Sequence, residues 1–176
     1  MLSTSLERVE NRLLRHPWVK SVSITRRLPH TLAIEVCERE EVAWMADPSG
    51  EGCLALGEGG VIVADGCSSS TSTIELRGAR LSGFDPGSVL LDDTISDLID
   101  AARNGVIASL DARLIDLTDP ASIELVSESG LRILLGKTEE VLSRLDSLAA
   151  LCRTLDMADY EVIDLRFGGE ATLVPR

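Results

Sequence analysis

The spacing of apolar residues predicts a short amphipathic helix near the start of the chain. Three apolar residues recur at helical spacing between charged neighbours: Leu6, Val9 and Leu13. Ser5 is the expected N-cap, and Pro17 is expected to end the helix because the residue before a proline avoids the α region. The pattern therefore predicts a helix over residues 5–15 whose apolar face needs a partner.

Two alternating stretches follow this helix and predict a β-hairpin. Apolar and polar residues alternate in VKSVSITRR (19–27) and in TLAIEVCERE (31–40), and LPHT makes the turn, with Pro29 fixing its φ. One helix and two strands are marginal as an independent fold. We therefore expect residues 1–44 to be part of a larger α+β module whose first elements lie upstream of this sequence.

A second series of strands and helices runs from residue 45 to the end of the chain. EVAWMAD predicts a strand that leads into it, CLALGEGGVIVAD predicts a hairpin with a four-residue loop at 57–60, and TIELRG predicts a further strand. Residues 80–89 are predicted to form a loop. A helix predicted over 92–102 has four apolar residues on one face: Ile95, Leu98, Ile99 and Ala102.

The last part of the chain predicts three strands, a long helix and a closing hairpin. RLIDLTD, SIELVSES and GLRILLG suit an antiparallel meander, and Thr138 is the expected cap of a helix over 138–155. Five residues form a continuous stripe along that helix: Val141, Leu145, Leu148, Cys152 and Leu155. YEVIDLRF, Gly168-Gly169 and EATLVPR then form the hairpin.

Together these elements predict an α+β fold. A partial module over 1–44 is followed by a mixed β/α domain over 45–176, with helices on one face of a mainly antiparallel sheet. The closing hairpin makes residues 171–174 an outer strand with free backbone groups, to which an extended partner could add. Two interpretations remain open here: a recognition edge, or a hairpin that only closes the sheet and whose Asp164-Leu165-Arg166 segment is internally salt-bridged.

Composition narrows the classes of partner. The chain has 29 acidic and 17 basic residues and a net charge of −12, so its body repels nucleic acid and anionic lipid headgroups, although a local basic patch is compatible with these totals. Aromatic residues make up 3%, too few for a base-stacking platform. No run of 18 or more apolar residues and no signal-peptide pattern occurs in the sequence.

The cysteines and histidines suggest no catalytic, cofactor-binding or metal site. The four cysteines form no C-x-x-C pair and only two histidines occur, so a structural zinc site is not expected. Cys53 and Cys67 flank the predicted hairpin, which suits either a disulfide or two small core or strand residues. A hydrolase with a hidden catalytic triad is a further hypothesis, and it requires one of the four cysteines to meet His16 or His30 in a cleft.

GLRILLGKT resembles a phosphate-binding loop but has the wrong spacing. Five residues instead of four separate Gly130 from Gly136-Lys137-Thr138, and those five have the composition of a strand. The acidic clusters at 38–41 and 92–93 are typical of solvated faces or helix starts. We therefore predict a strand, a turn at Gly136-Lys137 and a helix, and no active site.

Residues 16–45 resemble the end of the POTRA domain in the FtsQ, or DivIB, family of bacterial cell-division proteins; their sequence is HPWVKSVSITRRLPHTLAIEVCEREEVAWM. The family's ordered pattern matches twelve positions of this stretch: Pro17, Trp18, Val19, Arg26, Arg27, Pro29, Thr31, Leu32, Glu38, Arg39, Val42 and Ala43. The second half is similar too, in GGVIVADG (59–66), in the strand and long helix from residue 130, and in VIDLR (162–166). The resemblance covers roughly residues 5–174.

The resemblance implies a non-enzymatic scaffold of the divisome without a cofactor. FtsQ-type proteins bind the FtsB–FtsL coiled-coil pair and help control septal peptidoglycan synthesis, on the outer, periplasmic side of the cytoplasmic membrane. FtsB adds a strand to the last strand of the family's β domain. By analogy, the implied partner-binding residues are Arg166, Phe167, Ala171, Thr172, Leu173 and Val174.

Two further expectations follow from the resemblance. FtsQ-type proteins have one transmembrane helix before the POTRA domain, so a single-pass anchor is implied upstream of this sequence. The POTRA part could also contact other divisome proteins. A different POTRA-type module, of outer-membrane assembly or secretion, remains the alternative; it predicts repeated POTRA units or a following barrel, and the sequence contains neither pattern.

Overall fold

A computed structural model describes residues 3–67, 73–119, 121–167 and 170–176. The helices are α1 (Ser3–Leu13), α2 (Asp93–Asn104) and α3 (Thr138–Thr154), with short 3₁₀ turns at Ala108–Leu110 and Met157–Asp159. The strands are β1 (Val19–Arg27), β2 (Thr31–Glu38), β3 (Glu41–Ala46), β4 (Cys53–Gly57), β5 (Val61–Asp65), β6 (Ile74–Arg77), β7 (Ala112–Asp116), β8 (Ile123–Ser127), β9 (Arg132–Gly136), β10 (Tyr160–Asp164) and β11 (Thr172–Pro175).

The described strands form two sheets. β1 and β2 pair with each other, and the other nine form one sheet in the order β11-β10-β9-β8-β7-β6-β3-β4-β5. Neighbours run antiparallel except at β9–β10, β6–β7 and β3–β6. The structure therefore confirms the predicted α+β class and the mainly antiparallel sheet, including the meander of β7, β8 and β9.

The N-terminal unit consists of α1 packed on the hairpin of β1 and β2. The helix begins at Ser3, so Ser5 lies inside it and the predicted cap is wrong; three consecutive residues, 3–5, have side chains suited to capping, and the sequence does not distinguish between them. The helix ends at Leu13, a short turn before Pro17. On the hairpin, Ile34 and Val36 remain 44% and 46% exposed.

The core of the large sheet is a row of aliphatic side chains that continues from strand to strand. The register aligns five residues that are each at most 2% exposed: Leu76, Ile115, Leu125, Ile133 and Ile163. α2 and α3 contact each other and bury their apolar stripes in the same cluster. All four predicted residues of α2 are buried, as are Val141, Leu145 and Leu148 of α3, whereas Cys152 and Leu155 are half-buried.

The starts of the two helices differ. The carboxylate of Asp92 caps α2 by accepting a hydrogen bond from the backbone N–H of Thr94 at 3.0 Å. At α3 the N-cap is Lys137, without a side-chain cap, and Thr138 is the first helical residue, so its predicted capping role is wrong. Gly136, the last residue of β9, has a φ of +76° and turns the chain, which leaves Lys137 extended at the cap position.

The hairpin of β4 and β5 is closed by a disulfide bond. Its loop has three residues instead of the predicted four, because Gly57 pairs with Val61 as part of β4. Cys53 and Cys67 are bonded, with their Cα atoms 5.8 Å apart, so the disulfide interpretation is confirmed. Cys37 and Cys152 are free.

The loop of this hairpin is also where the large sheet meets the N-terminal unit. The Lys20 ammonium donates a 2.8 Å hydrogen bond to the Glu58 carboxylate, and this bond is the main reason that the pKa of Glu58 lies below its usual value. The Arg39 guanidinium donates to the Glu58 carbonyl at 2.6 Å, and the Glu58 N–H donates to the carbonyl of Glu40 at 3.1 Å. Three contacts therefore converge on Glu58.

Thiol titration checks the disulfide. In denaturant, we expect two reactive thiols, those of Cys37 and Cys152, and four after reduction. Because the cross-link spans 14 residues, reduction should lower the free energy of unfolding by about 3 kcal/mol, as measured by urea denaturation. Four thiols in the non-reduced protein would contradict the pairing, and Cys53→Ser with Cys67→Ser should reproduce the effect of reduction.

Candidate partner-binding edge

The two edges of the large sheet are not equivalent. At the β5 edge, the Ile62 N–H donates to the carbonyl of Ser88 at 2.8 Å, and the Gly87 N–H donates to the carbonyl of Ile62 at 2.8 Å, so the loop before α2 covers this strand. At the other edge, β11 pairs with β10 on one side. In the part of the chain that the structure describes, no strand pairs with its outer side. β11 is thus the open edge of the sheet.

The hydrogen bonds around β10 show which groups of β11 face outward. The Leu165 N–H donates to the Leu134 carbonyl at 3.0 Å, so alternate residues of β10 face β9 and the others face β11. Those facing β11 are Val162 and Asp164, whose register partners are Val174 and Thr172. The Leu173 N–H and C=O therefore point away from β10, toward the open outer side of β11.

A second hydrogen bond gives the same alternation. The Arg176 N–H donates to the Asp159 carbonyl at 3.0 Å, which directs residues 172, 174 and 176 toward β10. The outward set is then Ala171, Leu173 and Pro175. Proline has no N–H, so Pro175 contributes an acceptor only. The sequence-predicted strand over 171–174 is observed as Thr172–Pro175, shifted by one residue.

The side chains of the predicted site surround this edge. Ala171 and Thr172 are exposed, Val174 is 42% exposed, and Leu173 is half-buried against the core. Phe167 is 67% exposed, three residues after the end of β10. Gly168 and Gly169, which the sequence predicts as the hairpin turn, lie outside the described residues. All six predicted site residues therefore lie on the terminal hairpin segment, on or next to the open edge.

Arg166 is already paired within the chain. Its Nη2 lies 2.7 Å from Oδ2 of Asp164, its Nε lies 3.0 Å from Oδ1, and its backbone N–H donates to the same carboxylate at 3.0 Å. These hydrogen bonds hold the pKa of Asp164 below its usual value. The guanidinium carbon of Arg166 also lies 5.5 Å from the centre of the Phe167 ring, a cation–π contact. A partner carboxylate would have to share Arg166 with Asp164.

Arg144 on α3 is a supporting residue that sequence reasoning missed. Its guanidinium donates to the carbonyl of Arg166 at 3.0 Å, to the carbonyl of Leu135 and to the Glu140 carboxylate at 2.6 Å. A Cβ at position 136 would overlap this guanidinium, so Gly136 makes room for it. Arg144 lies 22 residues before Arg166, and no local pattern links the two.

A groove lies beside the open edge, between α3 and the residues Leu165, Glu170 and Ala171. Its volume is about 450 Å³. Its lining combines hydroxyl, aliphatic and charged groups: Glu140, Ser143, Arg144, Ser147, Leu151, Leu165, Glu170 and Ala171. Side chains alternate across a strand, so a segment paired with β11 would direct every second side chain toward α3 and this groove.

The other candidate chemistry is described by the surroundings of each residue. Cys53 and Cys67 are disulfide-bonded, and burial raises the pKa of the Cys152 thiol, the opposite of what a nucleophile needs. Cys37 is exposed on β2. The phosphate-loop-like stretch is the strand β9, a turn at Gly136 and the helix α3, as predicted.

The sequence of this N-terminal unit matches a family model. Residues 1–39 match the POTRA domain, FtsQ-type. The matched segment contains α1, β1 and β2 and stops before β3. No curated protein matches the chain significantly. POTRA domains are protein-interaction modules, and the FtsQ type indicates a role in cell division with divisome proteins as partners.

No described helix is long and apolar enough to cross a lipid bilayer. The FtsQ-type match itself indicates the periplasmic part of a membrane-anchored divisome protein.

The ion pair of Asp164 gives a pH-dependent prediction. Because the pKa of Asp164 is lowered in the folded protein, its ionisation stabilises the fold above the unfolded-state pKa of about 3.9, and this stabilisation is lost as the pH falls through the lowered folded value. Asp164→Asn should therefore reduce the free energy of unfolding by about 1 kcal/mol at neutral pH. Urea denaturation at pH 7 and near pH 3 measures the difference, which should shrink at the lower pH.

Asp146→Asn, a change of an exposed aspartate on α3, is the matched control and should leave the stability unchanged. An Asp164→Asn effect that is the same at both pH values would contradict the assignment of the lowered pKa to the Arg166 pair.

Proposed function

We propose that this chain is a non-enzymatic scaffold of bacterial cell division that binds the FtsB–FtsL pair by β-strand addition at β11. In this role it helps regulate septal peptidoglycan synthesis during septation. The FtsQ-type POTRA match of residues 1–39 carries the proposal, and the open edge supports the location of the site. The binding residues are Arg166, Phe167, Ala171, Thr172, Leu173 and Val174.

The chain is proposed to contain two modules. The first is the FtsQ-type POTRA part, and the second is a β domain that contains the nine-stranded sheet. The sequence predicts the boundary between them at residues 44–45. The pairing of β3 with β4 and β6 favours a boundary between Arg39 and Glu41 instead.

Binding by strand addition uses the outward backbone groups of β11. An extended FtsB segment can accept from the Leu173 N–H and donate to its C=O, and backbone bonds of this kind supply affinity that is largely independent of the partner's sequence. Specificity then depends on side chains. Phe167 supplies an apolar anchor, and Arg166 can share its guanidinium between Asp164 and a partner carboxylate.

The proposed compartment is the outer side of the cytoplasmic membrane, with the protein attached through a single helix upstream of this sequence. The Cys53–Cys67 disulfide supports this location, because structural disulfides persist in oxidising compartments such as the periplasm and are rare in the cytosol. Such a location gives β11 access to the extracytoplasmic parts of FtsB and FtsL.

Amide hydrogen exchange tests the edge residue by residue. With the periplasmic segment of an FtsB-like protein from the same organism, the amides of Leu173 and Ala171 should exchange about tenfold more slowly or slower still. Thr172 and Val174 face β10, so their amides are protected already and should change little. New protection confined to β5, or to the N-terminal unit, would place the site elsewhere.

The two phenylalanines of the chain provide a matched test of the apolar anchor. Phe167 is 67% exposed beside the edge and Phe84 is 51% exposed in the loop before α2, so alanine at either position should preserve the fold. Phe167→Ala should weaken binding of the same FtsB segment by about tenfold or more, by calorimetry, and Phe84→Ala should not change it. Equal effects of the two substitutions, or none, would remove Phe167 from the site.

A further inference from the structure

The charge of the chain is divided unevenly along its length. Residues 1–38 contain six basic and four acidic residues, a net charge of +2. Residues 39–176 contain eleven basic and twenty-five acidic residues, a net charge of −14. The N-terminal unit is therefore weakly cationic, and the large sheet with its helices is strongly anionic. A surface of negative charge would attract the first and repel the second.

The cationic charge includes two adjacent arginines at the tip of the β1–β2 hairpin. Arg26 and Arg27 are both exposed, and neither forms an ion pair with any of the described residues. Their strand partners are Leu32 and Thr31, which leaves both guanidinium charges without a neutralising neighbour across the hairpin. The tip therefore presents two unneutralised positive charges on consecutive residues of β1, one on each face of the hairpin.

Leu28 follows these arginines directly in the turn. It is 83% exposed, the most exposed large apolar side chain among the described residues. Such a side chain contributes little to the core, because almost all of its surface remains in water. An isolated exposed leucine needs no explanation, but this one projects from a turn between unpaired arginines and His30. The combination offers both an apolar group and phosphate-binding groups at one point of the surface.

We propose that the tip of the β1–β2 hairpin docks onto an anionic lipid bilayer, with Leu28 entering the headgroup region and Arg26 and Arg27 contacting lipid phosphates. Interfacial binding combines buried apolar area with attraction between basic residues and anionic lipids, and the tip supplies both. The acidic remainder of the chain is repelled from the same surface. The charge division therefore favours an orientation in which this hairpin approaches the bilayer first.

A nucleic acid is the less suitable partner for the same arginines. Phosphate contacts alone would use Arg26 and Arg27 but would leave Leu28 without a role, and the tip contains no phenylalanine, tyrosine or tryptophan to stack on a base. The contribution of Leu28 therefore distinguishes a bilayer from a polyanion. Two arginines and one leucine bind weakly, so the experiment requires a high lipid concentration and low salt.

Vesicle co-sedimentation of the whole chain tests the proposal. The probes are vesicles of phosphatidylcholine alone and vesicles in which about a third of the lipid is phosphatidylglycerol. We expect binding to the anionic vesicles only. The double variant Arg26→Glu with Arg27→Glu should lower the partition coefficient by about tenfold or more. Leu28→Ser should lower it by about threefold or more, because it removes most of the inserted apolar area.

A matched control keeps the net charge constant. Arg80→Glu with Arg113→Glu changes two exposed arginines of the large domain and gives the same total charge as the tip double variant. Its binding should equal that of the unchanged chain. All substituted side chains are exposed, so circular dichroism and the Cys53–Cys67 bond should be unaffected.

Three outcomes would overturn the proposal. The first is no binding to anionic vesicles at the highest lipid concentration. The second is equal loss in the tip and control double variants, which would mean general charge attraction. The third is a Leu28→Ser variant that binds as well as the unchanged chain, which would mean contact with phosphate alone; competition by duplex DNA would then identify a polyanion site.

Discussion

One row of buried side chains, running from Leu76 on β6 to Ile163 on β10, determines how the large sheet ends. Each member of the row belongs to the same buried cluster as the apolar stripes of α2 and α3, and its register partners lie on adjacent strands. The next position along the row is Leu173 on β11, and it is only half-buried. β11 therefore has fewer buried contacts than the inner strands, and its local stability is correspondingly low. A further strand on its outer side would cover Leu173 and lengthen the row.

The constraint also explains why the two edges differ. β5 is covered by the loop that leads into α2, because Leu90 of that loop is buried in the same core as the sheet. No equivalent loop covers β11 within the described ranges. The hairpin segment next to it is fixed instead by polar contacts, those of Arg144 with the carbonyl of Arg166 and of Arg166 with Asp164. Burial thus determines one edge, and hydrogen bonds organise the other.

The pattern of apolar and polar residues predicts the elements whose structure depends on neighbouring residues in the sequence. The stripe of α3, the meander of β7 to β9 and the alternation of β1 and β2 can all be read from neighbouring residues. The position of β3 between β6 and β4 could not, because it depends on a parallel pairing between segments about thirty residues apart. The wrong caps at Ser5 and Thr138, and the role of Arg144, have similar causes: several residue types compete for one position, or the partner is distant in sequence. Of the candidate site, the edge strand followed from the pattern, whereas the Asp164–Arg166 geometry remained one of two alternatives until the structure placed the atoms.

Pro175 has a consequence for the length of what β11 can hold. Leu173 offers an outward N–H and C=O. Pro175 offers an outward carbonyl but has no N–H, and the residues of β11 that face β10 have no free backbone groups. The open edge therefore offers only a few free backbone hydrogen-bonding groups over a short length. A long added strand forms no more backbone hydrogen bonds with β11 than a short one. Continued edge-to-edge association of many chains is therefore disfavoured. A strand that binds at β11 must therefore gain most of its affinity from side-chain contacts on the two faces of the sheet.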